Sequence, residues 1–222
     1  MEDNLSSARN PSRPMLTVER KVLQLFSLVR EGLAGATDAL LSEDRQGARD
    51  AMAREALIDS LYTDVELLVM ERLSTLDLPR ERVHELIVIL RMLPELERSG
   101  DLAEHIAWRA SRGLGSEITA RSRGLIQRMG AVSISMWTKC SDAFVEGVID
   151  AASLLDEMDD ELDELHVSLT AEIIGGGMPM TVAIELAMVG RFYERLGDHA
   201  VNLAKRVGML LSWESLEHGR NS

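Results

Sequence analysis

A chain of 222 residues suits one large domain or two small ones, with enough length to bury a real core. Aromatic residues make up only 4% while Leu, Met and Ala are plentiful, a balance that favours helices over sheets. The formal net charge of −13 argues against nucleic-acid binding through the overall field, because phosphate contacts need clustered Lys and Arg. The only cysteine, Cys140, cannot form an internal disulfide, which fits a reducing compartment, and it reads as a small buried apolar residue. No apolar run approaches the ~18 residues of a transmembrane helix. The opening MEDNLSSARNPSRP lacks the apolar core of a signal peptide. A cytoplasmic protein without membrane insertion is expected, with a disordered tail over 1–14 and a tail over 215–222.

From Leu16 to Leu41 the residues Val18, Val22, Leu25, Phe26, Val29, Leu33, Ala36 and Leu40 keep helical spacing. A second helix is predicted over about 44–76, on Ala48, Ala51, Met52, Ile58, Leu61, Val65 and Leu68. STLDLP then breaks the pattern, with Asp77 as the expected N-cap and Pro79 in the first turn. A third helix follows to about Ser111 on Val83, Leu86, Ile87, Leu90, Leu93 and Leu96, and Pro94 should kink it or mark an offset. RGLGS, 112–116, is the clear mid-chain punctuation. Helices over about 117–148, 150–174 and 180–213 follow, with GGGMP (175–179) as the last turn. No β-hairpin signal is present. The expected fold is all-α: two tandem three-helix bundles, 15–112 and 116–214.

The halves repeat. LERSGDLAEHIA (96–107) and YERLGDHAVNLA (193–204) share Glu, Arg, Gly, Asp and the final Ala at an offset of 97. One helix earlier, Ala48, Glu55, Asp59 and Leu61 match Ala152, Asp159, Asp163 and Leu165 at an offset of 104. Each half therefore carries an acidic i,i+4 pair on its second helix and another on its third. Spacing alone does not single these out: eleven such pairs occur, where composition predicts roughly six. Repeat register does, and so does geometry. Both members of each hairpin place their acids at similar distances from the turn, within about three residues or ~4.5 Å, so four carboxylates should converge in each bundle. Glu97, Asp101 and His105 form one stripe, and Glu194, Asp198 and Asn202 another.

Converging carboxylates repel, and burial would force some to protonate. A cation resolves both problems. Oxygen-rich sites suit Mg, Ca, Mn or ferrous iron, and an added imidazole moves the preference toward Fe, Mn or Zn. The candidate metal ligands are Glu55, Asp59, Glu97, Asp101 and His105 in the first half, and Asp159, Asp163, Glu194, Asp198 and Asn202 in the second. The alternative is that Arg98 and Arg195 pair with these acids at a solvated surface. The Glu-x-x-His pattern of related four-helix sites is missing from these stripes, which argues against a ferritin-like site.

His199, beside Asp198, reads as a ligand, a second donor to the cluster, or a packed histidine. His84, His166 and His218 read as surface residues. Met129, Met136, Met158, Met178, Met180 and Met188 read as core filler before a plastic partner groove. Trp108, Trp137 and Trp213 read as packing, and Arg121, Arg123 and Arg128 as a small basic patch on a solvated face. No phosphate-binding glycine loop and no nucleophile–base pairing is legible.

The segments GRFYERLGDHAVNLAKRV and LERSGDLAEHIA, with the acidic pairs Glu55/Asp59 and Asp159/Asp163, resemble the PhoU family of bacterial phosphate-uptake regulators, most closely its actinobacterial branch. The resemblance covers the chain after its first tail. It implies two three-helix bundles, E(D)xxxD motifs that hold iron, zinc, manganese or magnesium, and a homodimer. It also implies action with the Pst transporter ATPase and the PhoR-type sensor kinase to suppress the phosphate-starvation response. Here His105 and Leu102 stand where the second half has Asn202 and His199, and LDLPRERVHELIVILR replaces the family's usual stretch between second and third helices. The expected function is a non-enzymatic regulator with no catalytic residues. The rival readings are a metal-dependent hydrolase or oxidase and, from a third class, metal storage.

Overall fold

The computed structural model describes residues 13–218 apart from 76 and 149, with side chains described over 17–210 apart from the same two. The tail expectations for 1–12 and 219–222 lie outside the described residues, as do the side chains of Trp213 and His218. Among the described residues the chain is entirely helical: α1 (Arg13–Ser42), α2 (Arg45–Met52), α3 (Glu55–Leu73), α4 (Arg80–Ser111), a 3-10 turn (Leu114–Glu117), α5 (Ala120–Glu146), α6 (Ala151–Ile174) and α7 (Met180–His218). The all-α fold of two tandem three-helix units is as the sequence predicts.

All eight apolar positions predicted on α1 are buried. They serve two cores at once, because α1 packs on α4 within its own bundle and on α5 of the next. Likewise α7 packs on α6 and α5 and also on α4. The bundles therefore share one continuous apolar core running from Val18 to Leu210. A polar link crosses the junction, with Thr37 Oγ1 and Tyr193 Oη 2.7 Å apart; inside the second bundle Trp137 Nε1 donates to the Leu196 carbonyl of α7 at 3.1 Å.

Three predictions needed correction. The single helix over 44–76 is two, α2 and α3, separated by a turn at Ala53–Arg54. Inward side chains on α2 are small, Ala48 and Ala51, and Ala51 approaches α1 closely enough that a Cβ on Gly35 would touch it at 3.4 Å. On α3 they are Ile58, Val65 and Val69, which need a wider separation, so the axis is reset between the two. Asp77 is not the N-cap of α4; it takes a left-handed conformation (φ 72°), and Pro79 occupies the cap position. The proposed basic patch is no patch: Arg121 pairs with Glu172, Arg128 with Glu161 at 2.6 Å, and Arg123 reaches across to the first bundle. Its guanidinium donates to the carbonyls of Leu41 and Gly115 and to Glu43, tying α5 to the end of α1. Pro94 lies within α4 without ending it.

Candidate functional site: two carboxylate quartets

The hairpins α3–α4 and α6–α7 bring the predicted acids together. In the first bundle the half-buried Glu55 faces Asp101, Asp59 and Glu104, and desolvation followed by these three charges pushes its carboxyl up to about 8. Burial and then Asp101 and Asp59 raise Glu97 as well. In the second bundle Asp159 is pushed up to about 6, by burial first and then by Asp198, Asp163 and Glu194. Burial also raises Glu194, against the pull of Arg191.

Both carboxylate oxygens of Glu55 and Oδ1 of Asp159 are buried without a hydrogen-bond donor. Such groups are costly unless something supplies positive charge or a proton. Asp101 faces Glu55, and two acceptors can join only through a shared proton or cation.

The acids are admitted by two glycines. A Cβ on Gly100 would stand 2.7 Å from Glu55 Oε2 and 2.8 Å from Ile58 Cδ1. One on Gly197 would run into Asp159 Oδ1 and stand 2.7 Å from Leu162 Cδ2. Gly100 and Gly197 are repeat equivalents at the offset of 97, so both bundles cut the same notch in their third helix for a carboxylate from their second.

The other candidates are placed differently. His105 stacks its ring on Phe192, 5.4 Å between centroids, and Glu104 is the neighbour whose charge reaches Glu55. Asn202 is exposed one turn beyond Asp198. His199 turns inward: its Nδ1 lies 2.9 Å from Ser99 Oγ and its Nε2 3.7 Å from Glu95, which in turn accepts from Arg206. Burial lowers its pKa, and Glu95 opposes that. Ser99 and His199, 100 residues apart and so not legible as neighbours in the sequence, meet here. Ser99 is fully buried and donates to the Glu95 carbonyl at 2.6 Å, so the contact is a link between α4 and α7.

Glu194 is paired with Arg191 rather than Arg195. Sequence reasoning missed His166, which is half-buried over Gly190 and close enough to favour the charged form of Glu194. The available signal was its position three residues after Asp163 on α6. His84 is also half-buried rather than at the surface. Cys140 is buried, with its thiol pushed up to about 12 by desolvation, and is inert as expected. Trp137, Met129 and Met136 are core, whereas Met180 and Met188 are exposed.

Among the described residues no group of three or more His, Cys, Asp or Glu side chains is placed to hold a metal ion. The chemistry of the donor set nonetheless fits a divalent cation: oxygen-rich, partly desolvated, with orphaned carboxylate oxygens. A separate cleft of about 220 Å³ at the bundle junction is lined by Trp108, Arg109, Arg112, Leu114, Glu117, Thr181, Val182 and Glu185, and none of the quartet acids lines it. No described helix is long and apolar enough to cross a membrane.

Comparison with known families also finds a repeat. The model of the PhoU domain matches the chain twice, over residues 22–110 and 126–207. The chain belongs to the PhoU family. It is similar to the phosphate-specific transport system accessory protein PhoU homolog 1 of Mycobacterium tuberculosis, 27% identical over 83% of this chain and 85% of that one. The protein of the same description from Thermotoga maritima is 25% identical, over 88% and 86%. Among solved structures, PhoU from Pseudomonas aeruginosa superposes with a TM-score of 0.84 at 22% identity, covering 90% of this chain and 97% of that one. The phosphate transport system regulatory protein PhoU from Streptococcus pneumoniae gives 0.79 at 24%, covering 88% and 94%. At these identities the structural likeness speaks to the fold.

Proposed function

We propose that this protein is a cytoplasmic, non-enzymatic regulator of phosphate uptake. It would act by docking to the ATPase of a Pst-type transporter and to a PhoR-type sensor kinase, and so hold down the phosphate-starvation response. The observation that carries this reading is the doubled PhoU-domain match across both bundles, joined to the naming of the curated relatives as accessory proteins of phosphate-specific transport. A homodimer is part of the proposal, and sedimentation of the purified chain measures it.

In this reading each quartet is a divalent-cation site. Glu55, Asp59, Glu97 and Asp101 would hold one ion, and Asp159, Asp163, Glu194 and Asp198 another. A bound ion supplies the positive charge that lets all four acids ionise together, and the orphaned oxygens of Glu55 and Asp159 support that assignment. Magnesium, manganese and iron suit the oxygen set; His166 beside the second quartet would shift its preference toward iron, manganese or zinc. No catalytic step is assigned to these residues.

The test is a deletion strain carrying a phosphate-starvation reporter, complemented by this chain, with the tagged protein used to recover the transporter ATPase and sensor kinase. Reporter activity in ample phosphate should fall on complementation, and both partners should copurify. A reporter indifferent to the chain, with neither partner recovered, rejects the proposal.

A further inference from the structure

The outer face of each α-hairpin carries more than acids. On α7, Met180, Ile184, Ala187, Arg191, Glu194 and Asp198 follow one another at spacings of four and three, a single stripe about 27 Å long at 1.5 Å per residue. Its first half is apolar and open to solvent: Met180 is 75% and Ile184 56% exposed. On α6, Val167 and Ile174 continue the stripe of Asp163 at four and eleven residues, and they are 69% and 80% exposed. Scattered exposed apolar residues need no explanation. Two of these four recur in repeat register. Ile174 less 104 is Met70, 54% exposed on α3, and Ile184 less 97 is Ile87, 40% exposed on α4. The two offsets are those that relate the acidic pairs. Each bundle thus presents exposed apolar side chains toward the hairpin tip, fuller in the second bundle, with carboxylates further along the same two helices.

We propose that this composite face, in the second bundle first of all, is a docking surface for a cationic amphipathic helix of a partner protein. The apolar patch takes the partner's Leu or Ile side chains, and its Lys or Arg are drawn by the other acids of α6 together with the negative charge that four carboxylates keep around one divalent ion. Charge decides the occupant. α6 carries eight acids and no Lys or Arg, and Arg191 on the α7 stripe is already paired with Glu194. A second copy laid on the same face would set carboxylate against carboxylate in a chain of net charge −13, and an anionic membrane would be repelled in the same way. The proposal rests on the docking role given above and names the surface and the partner chemistry that role would use.

The experiment is a fluorescence-anisotropy titration of the full chain, in chelator, with three labelled peptides of about 18 residues, the length that spans the stripe. One is a Leu/Lys sequence with a single apolar face; one has the same composition scrambled to remove that face; one is the Leu/Glu counterpart of the first. The amphipathic cation should bind at least tenfold more tightly than its scramble, and the Leu/Glu peptide should not bind. Ile174→Asp with Ile184→Asp should weaken the amphipathic cation at least tenfold while leaving helical content unchanged, since both side chains are exposed. Asp163→Asn should flatten the salt dependence. Equal binding of the scramble would reduce the surface to charge alone and overturn the proposal. So would unchanged binding by the double variant, or sedimentation in which that variant turns a wild-type dimer into a monomer. If the double variant still recovers the transporter ATPase, this surface is wrong and the docking role stands.

Discussion

Replacing Gly197 with Ala tests the notch that admits Asp159. In a helix interior the change of Gly to Ala normally stabilises by about 1 kcal/mol. At Gly197 the new methyl would meet Asp159 Oδ1 and stand 2.7 Å from Leu162 Cδ2, in a helix pair that is fully packed. Overpacking of this kind costs about 1–3 kcal/mol, so a net loss of about 1 kcal/mol is expected. Gly124, inside α5 with nothing within 4 Å of its added Cβ, is the control and should gain about 1 kcal/mol on the same change. The two variants should therefore differ by about 2 kcal/mol, read as shifts in opposite directions of the urea midpoint followed by circular dichroism. Asp159→Ala should recover part of the loss in a double-mutant cycle with Gly197→Ala. If Gly197→Ala stabilises as much as Gly124→Ala, the helices have slack at that point and the notch argument is wrong.

In chelator, stability should fall as pH rises. Glu55, at about 8 in the folded protein, and Asp159, at about 6, hold protons there that the unfolded chain has released from about pH 4 upward, so the loss runs from about pH 4 to 8. Melting temperatures across that window should decline in the wild type and decline less in Glu55→Gln, and divalent metal should restore the high-pH end. Arg123→Ala, which strips donors from the Leu41 and Gly115 carbonyls, should cost about 2 kcal/mol in urea unfolding. Arg121→Ala, at an exposed pair, should stay within about 0.5 kcal/mol. Trp137→Phe removes the indole donor to the Leu196 carbonyl and should lower stability by about 1–3 kcal/mol, with little change in helical content.

Much of this molecule is legible in its sequence because long amphipathic helices advertise their buried face. The α1 stripe from Val18 to Leu40 needed only the 3.6-residue period, and the repeat register located the acids on both hairpins. What escaped depended on neighbours distant in the chain. Gly100 and Gly197 coincide in the repeat, but their purpose appears only when Glu55 and Asp159 lie across them. Ser99 and His199 are 100 residues apart and meet because α4 and α7 pack together. Ile87 fits the α4 period and was expected in the core, yet it sits at the edge of that stripe and stays 40% exposed. The break between α2 and α3 carries no Gly or Pro, because it answers a change in side-chain size and not a local breaker. Arg123 looked like one member of a basic run until Glu43 and two carbonyls came within its reach.

The proposal most open to direct measurement is that the two quartets are cation sites. Elemental analysis of the purified protein after equilibration with magnesium, manganese, iron and zinc, beside a Glu194→Ala/Asp198→Ala variant, measures this. The account predicts stoichiometric metal in the wild type and loss of the second bundle's share in the variant, with both proteins equally helical. Wild-type protein that stays metal-free under every condition contradicts it, and the acids would then be partner-facing charge alone.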